Sequence, residues 1–423
     1  MKPSEHAPLL ATIIGQDEPG VAAAVFDALA PLDISVIDVE QVHIHGRLML
    51  GVVIQVNSHP GQPESSGNHS KHLDVTVIVD ALTDPAGKLS QFDIQVQVEP
   101  LGDDRVTLAG QHLVTVLGID LGAGQLAEVF RLIAASGANV DRIVRLSRYP
   151  VTSYELTVSG GEPMGLRAKL ASGAAALRVD VAVQPAGLHR RAKRLIVLDV
   201  DSTLVRGEVI DLLADLGGKS EEVSAITAAA MAGELDFESA LRLRVAHLAG
   251  LDASALDQVR DGLVLTPGAR TLIRTLRRLG YVTAIVSGGF SQITDSLALQ
   301  LGIDHSAANT LEVLGGRLTG NLVGPIVDRA GKAEALARFA AEAGVPMEQT
   351  VAVGDGANDL DMLAAAGLGI AFNAKAIVRD SADTTINVPY LDAILFLLGM
   401  SREEIEAADT ASLSESERQS ETS

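Results

Sequence analysis

The sequence predicts an α/β protein: a Rossmann-like parallel sheet core with a helical cap, preceded by two ferredoxin-like βαββαβ modules. Three observations predict it. From 195 to about 398, short apolar strands alternate with helical stretches, which builds a parallel sheet covered on both faces. Two stretches within the first 190 residues repeat one another. Residues 207–265 interrupt the later alternation with helical periodicity alone.

The repeats come first in the chain. LLATIIGQDEPGVAAAVFDALAPLDISVIDVEQV begins at Leu9, and HLVTVLGIDLGAGQLAEVFRLIAASGANVDRIVRL begins at His112. Each reads strand, G-x-D loop, amphipathic helix, strand. Val21, Phe26 and Leu29 carry the apolar face of the first helix; Leu126, Val129, Phe130 and Ile133 carry that of the second. A further strand follows, LMLGVVIQV or SYELTVS, then a helix-like stretch, LTDPAGKLSQF or GLRAKLASGAAA, then a closing strand, DIQVQVEP or RVDVAVQP. That is βαββαβ twice, over 1–101 and 108–186. NSHPGQPESSGNHSKH reads as a polar loop, and its His69 and His72 read as solvated rather than metal-bound. HRRAKR, at 189–194, reads as a solvated linker.

The third domain spans 187–400. RLIVL, YVTAIV, TVAVG, LGIAF and TTINV are its strands, and LEVLGGRLTGNLV reads as a hairpin turning at Gly315 and Gly316. EVIDLLADLG, EEVSAITAAAMAG, FESALRLRVAHLAG and SALDQVRDGL fill a helical cap at about 207–265. The acidic tail, 401–423, is expected to be disordered beyond about residue 405.

Composition narrows the function. A formal net charge of −21 argues against nucleic acid and anionic membranes as partners. The absence of cysteine excludes disulfides and thiolate metal sites. The N-terminus lacks a full signal sequence, and no apolar run is long enough to span a bilayer, so the expected location is the cytoplasm.

The stretch LIVLDVDSTLVR places Asp199 and Asp201 at the end of an apolar strand. Buried strands rarely end in charge unless something pairs with it. Open parallel sheets bind ligands at their strands' carboxyl ends. There the other strands bring Ser287, Gly288 and Gly289, and the run Asp355-Gly356-Ala357-Asn358-Asp359, while Lys332 opens a helix. Clustered carboxylates without Cys or His favour a hard cation, Mg²⁺ above all. A metal, a lysine and free backbone N–H groups suit a phosphate dianion. One aspartate can then attack phosphorus while the other serves as acid and base.

These motifs, DVDSTL, SGG, Lys332 and GDGANDLDM, resemble the four motifs of the haloacid dehalogenase superfamily of phosphatases over about 195–398. The resemblance implies Asp199 as nucleophile and Asp201 as acid/base. It implies Mg²⁺ on Asp199, the Asp201 main-chain carbonyl and Asp355. Ser287 and the Gly288 N–H would hold the phosphoryl oxygens, Lys332 would neutralise charge there, and Asp359 would support the metal or Lys332.

From spacing alone, Glu208 and one of Arg242 and Arg244 suit either a zwitterion pocket or a surface ion pair. VDSTLVRGEVIDLLADLGG, AAMAGELDFESALRLRV and SGGF are similar to the phosphoserine phosphatase family. That resemblance implies O-phospho-L-serine as substrate, with Glu208 and Arg244 as its contacts and Met231 and Phe237 closing over it. Gly289 and Asn358 complete the implied contacts. The repeats resemble ACT domains, with GQDEPG and GIDLGAG as ligand loops. Asp17, Gly20, Asp120 and Gly122 are the implied effector positions, and the arrangement implies an L-serine-sensitive homodimer. Rival readings are a mutase or phosphotransferase using the same chemistry, and an amino-acid sensor with an inert catalytic half. Intact Asp199, Asp201, Lys332 and Asp355 oppose the second. The GK at 331–332 lacks the upstream Gly and the hydroxyl of a nucleotide-binding loop.

Overall fold

Alternating apolar residues make β1 (Leu9–Gln16), and its inward residues Leu9, Ala11 and Ile13 are buried. The computed structural model describes residues 8–57, 75–84, 86–101, 111–187, 190 and 192–421; the side chains of 175, 231 and 412–421 lie outside that description. Contacts divide the chain into two units, Met1–Thr107 and Leu108–Ser423.

In the first unit β1 is followed by α1 (Val21–Leu29), β2 (Ile34–Ile44), β3 (Arg47–Val56), α2 (Val75–Thr83) and β4 (Ile94–Pro100). The sheet order is β2-β3-β1-β4 with every pair antiparallel, which is the ferredoxin-like arrangement. The second helix departs from expectation. It lies at 75–83, so that Leu82 and Thr83 end it, and a short 3₁₀ turn, Lys88–Gln91, follows. β-Branched VTVIV has strand propensity, but Ile78 and Leu82, four apart, both bury against the sheet, and packing overrides propensity. The loop containing His69 and His72 lies outside the described residues.

The second unit begins with β5 (His112–Gly118), α3 (Ala123–Ala134), β6 (Ala138–Ser147), β7 (Thr152–Gly160), α4 (Pro163–Leu177) and β8 (Asp180–Pro185), in the order β6-β7-β5-β8. Glu162 caps α4, accepting from the N–H groups of Met164 at 2.9 Å and Gly165 at 2.6 Å, with Pro163 in the first turn.

Seven strands follow: β9 (Leu195–Asp199), β10 (Val282–Phe290), β11 (His305–Leu314), β12 (Arg317–Val323), β13 (Thr350–Gly354), β14 (Gly369–Phe372) and β15 (Thr384–Ile386). Their order is β12-β11-β10-β9-β13-β14-β15, with β9 central and only β12 antiparallel to its neighbour. The expected hairpin starts earlier than its apolar run, at His305, because β11 first pairs in parallel with β10. The cap helices are α5 (Val209–Gly217), α6 (Ser220–Met231), α7 (Phe237–Ala246) and α8 (Ser254–Gly262). Val209, Leu213, Val223, Leu241 and Val245 pack their interior against Phe290 and Ile293 of the sheet domain. α9 (Ala269–Arg278), α10 (Ser291–Leu301), α11 (Arg329–Glu342), α12 (Leu360–Ala365), α13 (Ala376–Arg379) and α14 (Ile394–Leu397) complete the domain.

The expected disorder beyond 405 is corrected by α15 (Arg402–Glu421). Ser401 and Glu404 form a capping box, Ile405 is buried, and Asp409 pairs with Arg274 and Arg278. The acidic composition of the tail hid these anchors.

The second module is docked on the catalytic sheet. Leu117, Leu146, Val151 and Ala182 share one apolar cluster with Ile394, Leu397 and Ile405. Asp180 accepts hydrogen bonds from Asn387 N and Nδ2, both at 2.7 Å, and from Val388 N at 3.1 Å. Asp180→Ala leaves those donors unmatched. It is expected to cost about 1–3 kcal/mol and to lower the thermal midpoint by roughly 2–4 °C per kcal/mol. An unchanged midpoint would show that apolar contact alone holds the module.

Candidate active site

The parallel register sets Asp199 of β9 beside Val286 of β10, and Leu198 beside Val353 of β13. The strand ends therefore release Asp199, Ser287 and Asp355 at one edge. Lys332 reaches them from the first turn of α11, whose N-terminus Asp328 caps by accepting from Gly331 N at 2.8 Å. The Lys332 ammonium is wholly buried and donates to Asp199 Oδ1 and Asp359 Oδ1, both at 2.6 Å. Burial pushes that ammonium down, but the two carboxylates more than reverse the effect and hold it above the usual lysine range. Asp359 also accepts from Gly356 N at 2.9 Å. A Cβ on Gly354 would lie 2.4 Å from the Asp359 carboxyl carbon, so only glycine fits there.

Asp199, Asp355 and Asp359 each bring one carboxylate oxygen within 4.8 Å of the others. Burial, then the charge of Asp359, pushes Asp199 well up, with Lys332 opposing. The same two causes raise Asp355 to about 6. One lysine thus leaves negative charge in excess, and an all-oxygen donor set of this kind fits a hard divalent cation. Thr203 Oγ1 steadies Asp355, donating at 3.3 Å.

Asp201 points elsewhere. After β9 the chain makes a wide turn in which Asp201 is extended and Ser202 is left-handed, with φ 59°. Asp201 Oδ1 accepts from Val209 N at 2.8 Å, at the entrance to the cap, and Oδ2 accepts from the Ser287 hydroxyl at 3.0 Å. Burial raises its pKa, against those two hydrogen bonds. Ser287 Oγ in turn accepts from Gly289 N at 2.7 Å. A Cβ on Gly289 would lie 2.9 Å from both Asp201 Oδ2 and Ser287 Oγ, and one on Gly288 would lie 3.0 Å from the Phe237 ring. The glycine pair therefore lets the acid, the hydroxyl and a cap side chain meet. Asn358 folds back over Gly356 in the same loop as Asp355.

The two connections to the cap run side by side: Arg206 N donates to Val264 O, and Thr266 donates through N to Leu204 O and through Oγ1 to Thr203 O. Of the paired arginines, Arg242 binds Glu238 on the surface. Arg244 faces Glu208, Asp211 and Asp201; burial lowers its pKa and those carboxylates oppose the shift. Among the described residues, its buried Nε has no hydrogen-bond partner. Glu208 is exposed as a residue, yet protein packs round most of its carboxyl. Burial, then Asp201, Asp355 and Asp211, raises it to about 7. Met231 ends α6, and its side chain lies outside the described residues.

The effector positions fall in the two β–α loops. Asp17 contacts His43 at 3.4 Å, and Gly20, with φ 101°, precedes α1. Asp120 is exposed, and Gly122 donates through its N–H to Gln125 Oε1 at 2.9 Å before α3. Sequence reasoning missed Thr203, Thr266 and Asn309. The buried Asn309 joins Gly288 to Val327, and its signal was an amide within an otherwise small and apolar run.

Residues 196–364 match the family of haloacid dehalogenase-like hydrolases, and 7–74 and 110–184 each match an ACT domain family. A phosphoserine phosphatase of Streptomyces coelicolor is 54% identical over 96% of each chain. A phosphoserine phosphatase of Mycobacterium tuberculosis is 51% identical over 95% of each. The crystal structure of a probable phosphoserine phosphatase from Vibrio cholerae superposes with a TM-score of 0.55 at 35% identity, covering 69% of this chain and 87% of that one. The chain belongs to the phosphoserine phosphatase family of haloacid dehalogenase-like hydrolases, with two ACT domains ahead of the hydrolase domain.

Proposed function

We propose that this chain hydrolyses O-phospho-L-serine to L-serine and phosphate through a phosphorylated Asp199. The observation that carries the reading is the division of labour between two carboxylates two residues apart: Asp199 is fixed by Lys332, and Asp201 is held away from it by Ser287 and Val209. Lys332 occupies Asp199 Oδ1, which leaves Oδ2 to attack phosphorus. The bond between phosphorus and the serine oxygen breaks, and protonated Asp201 gives that oxygen its proton. Asp201, now a carboxylate, takes a proton from water as the hydroxide attacks the phosphoryl group and frees Asp199. The Gly288 N–H holds a phosphoryl oxygen during both steps, Ser287 stands beside it with its proton on Asp201, and Lys332 offsets the phosphoryl charge. Asp199, Asp355 and the Asp201 main-chain carbonyl would hold Mg²⁺, which supplies positive charge to the phosphoryl oxygens when bound.

The substrate's own charges fit the cap. Arg244, with its unmatched Nε, meets the carboxylate, and Glu208 meets the ammonium. Phe237 against Gly288 closes the apolar side. The domain boundaries expected from sequence, a homodimer and binding of L-serine at the two ACT loops belong to the same proposal. Among the described residues no helix is long and apolar enough to cross a membrane, and the cytoplasm is the proposed location.

Asp199→Asn is expected to retain the fold and to lose turnover by roughly 10³-fold or more; residual wild-type rates would reject the nucleophile. Arg244→Ala is expected to lower kcat/KM for phosphoserine about 10–100-fold, the worth of one charge-assisted contact, and to spare an aryl phosphate. Equal losses would remove its role in substrate choice. Carboxylates with raised pKa values are protonated sooner as pH falls and then bind metal less well. The rise in thermal midpoint on adding Mg²⁺ is therefore expected to be larger at about pH 7.5 than at about pH 5.5. An equal rise at both would place the ion elsewhere.

A further inference from the structure

We infer that Asn309 is a positioning residue for Asp201, an inference that rests on Asp201 being the acid and base of the proposed reaction. Asn309 lies on β11 where that strand runs beside the end of β10, paired with Phe290, and it is 1% exposed. Both halves of its amide are used. Nδ2 donates to Gly288 O at 2.8 Å, and Oδ1 accepts from Val327 N at 2.8 Å. These partners fix which way the amide faces, because one can only accept and the other can only donate.

The Gly288–Gly289 peptide is consequently held at both ends. Its carbonyl is taken by Asn309, and its N–H donates to Ser287 Oγ at 2.7 Å. With that oxygen accepting from Gly289, the Ser287 proton is directed at Asp201 Oδ2, 3.0 Å away. The chain from the Asn309 amide through the peptide and the hydroxyl to the carboxylate donates in one direction throughout, an arrangement in which each bond polarises the next. At the other end, Val327 immediately precedes Asp328, the cap of the helix that carries Lys332. A single buried amide therefore ties the position of Asp201 to that of the helix whose Lys332 fixes the nucleophile. Both hydrogen bonds of that amide go to main-chain atoms, so Asn309 acts on Asp201 only through other groups.

Asn309→Asp separates positioning from packing. It keeps the shape and the acceptor for Val327 but places an oxygen against the Gly288 carbonyl. Full-length wild type, Asn309→Asp, Asn309→Ser and Asp201→Asn are compared by kcat/KM on O-phospho-L-serine and on p-nitrophenyl phosphate. That parameter covers steps only as far as departure of the leaving group, and a nitrophenolate leaves without being protonated. Both Asn309 variants are expected to lose on the order of 10²-fold on phosphoserine and less than about threefold on the aryl ester, with the selective pattern of Asp201→Asn. Equal losses on the two esters, or no loss on either, would overturn the inference while leaving Asp201 in its role. No selectivity in Asp201→Asn itself would instead overturn the acid assignment, and the inference with it. Loss of the folded state in both Asn309 variants, read by circular dichroism, would also overturn it, since Asn309 would then serve the fold and not the acid.

Discussion

A lysine buried between two aspartates governs the catalytic half. Lys332 could not be stripped of water without carboxylates to receive its proton donors, and neither Asp199 nor Asp359 could be buried without a cation. Each of the three comes from a different element: a central strand, a helix start, and the turn after β13. The charge requirement therefore fixes the distances among those elements as firmly as the apolar core does. It also leaves one lysine facing more negative charge than it can balance, which is the electrostatic ground for the cation proposed there.

Much of this arrangement could be read from the residues. Charged side chains at the ends of apolar strands have few structural uses, so D-x-D and G-D-G-A-N-D mark the sheet edge, with S-G-G at the end of a neighbouring strand. The cap was legible from its unbroken helical period. The structure also resolved which arginine faces inward, because Glu238 captures Arg242 on the outer surface.

What escaped was set by long-range packing. VTVIV carries strand propensity and lies in a helix because Ile78 and Leu82 find an interior. The acidic tail holds its first turns through Ile405, Asp409 and a Ser401–Glu404 cap, three modest anchors spread through a polar stretch. Asn309 sits in no motif, and only the approach of β11 to the glycine pair gives its amide two partners.

The docking of the second module has one more consequence. β8 lies against β15, and the apolar side chains beneath it belong jointly to the module and to the hydrolase domain. Among the described residues, the two could not part without wetting that common interior. A ligand bound to this module would thus reach the catalytic sheet as elastic strain transmitted through β15, and not as a release of one body from another.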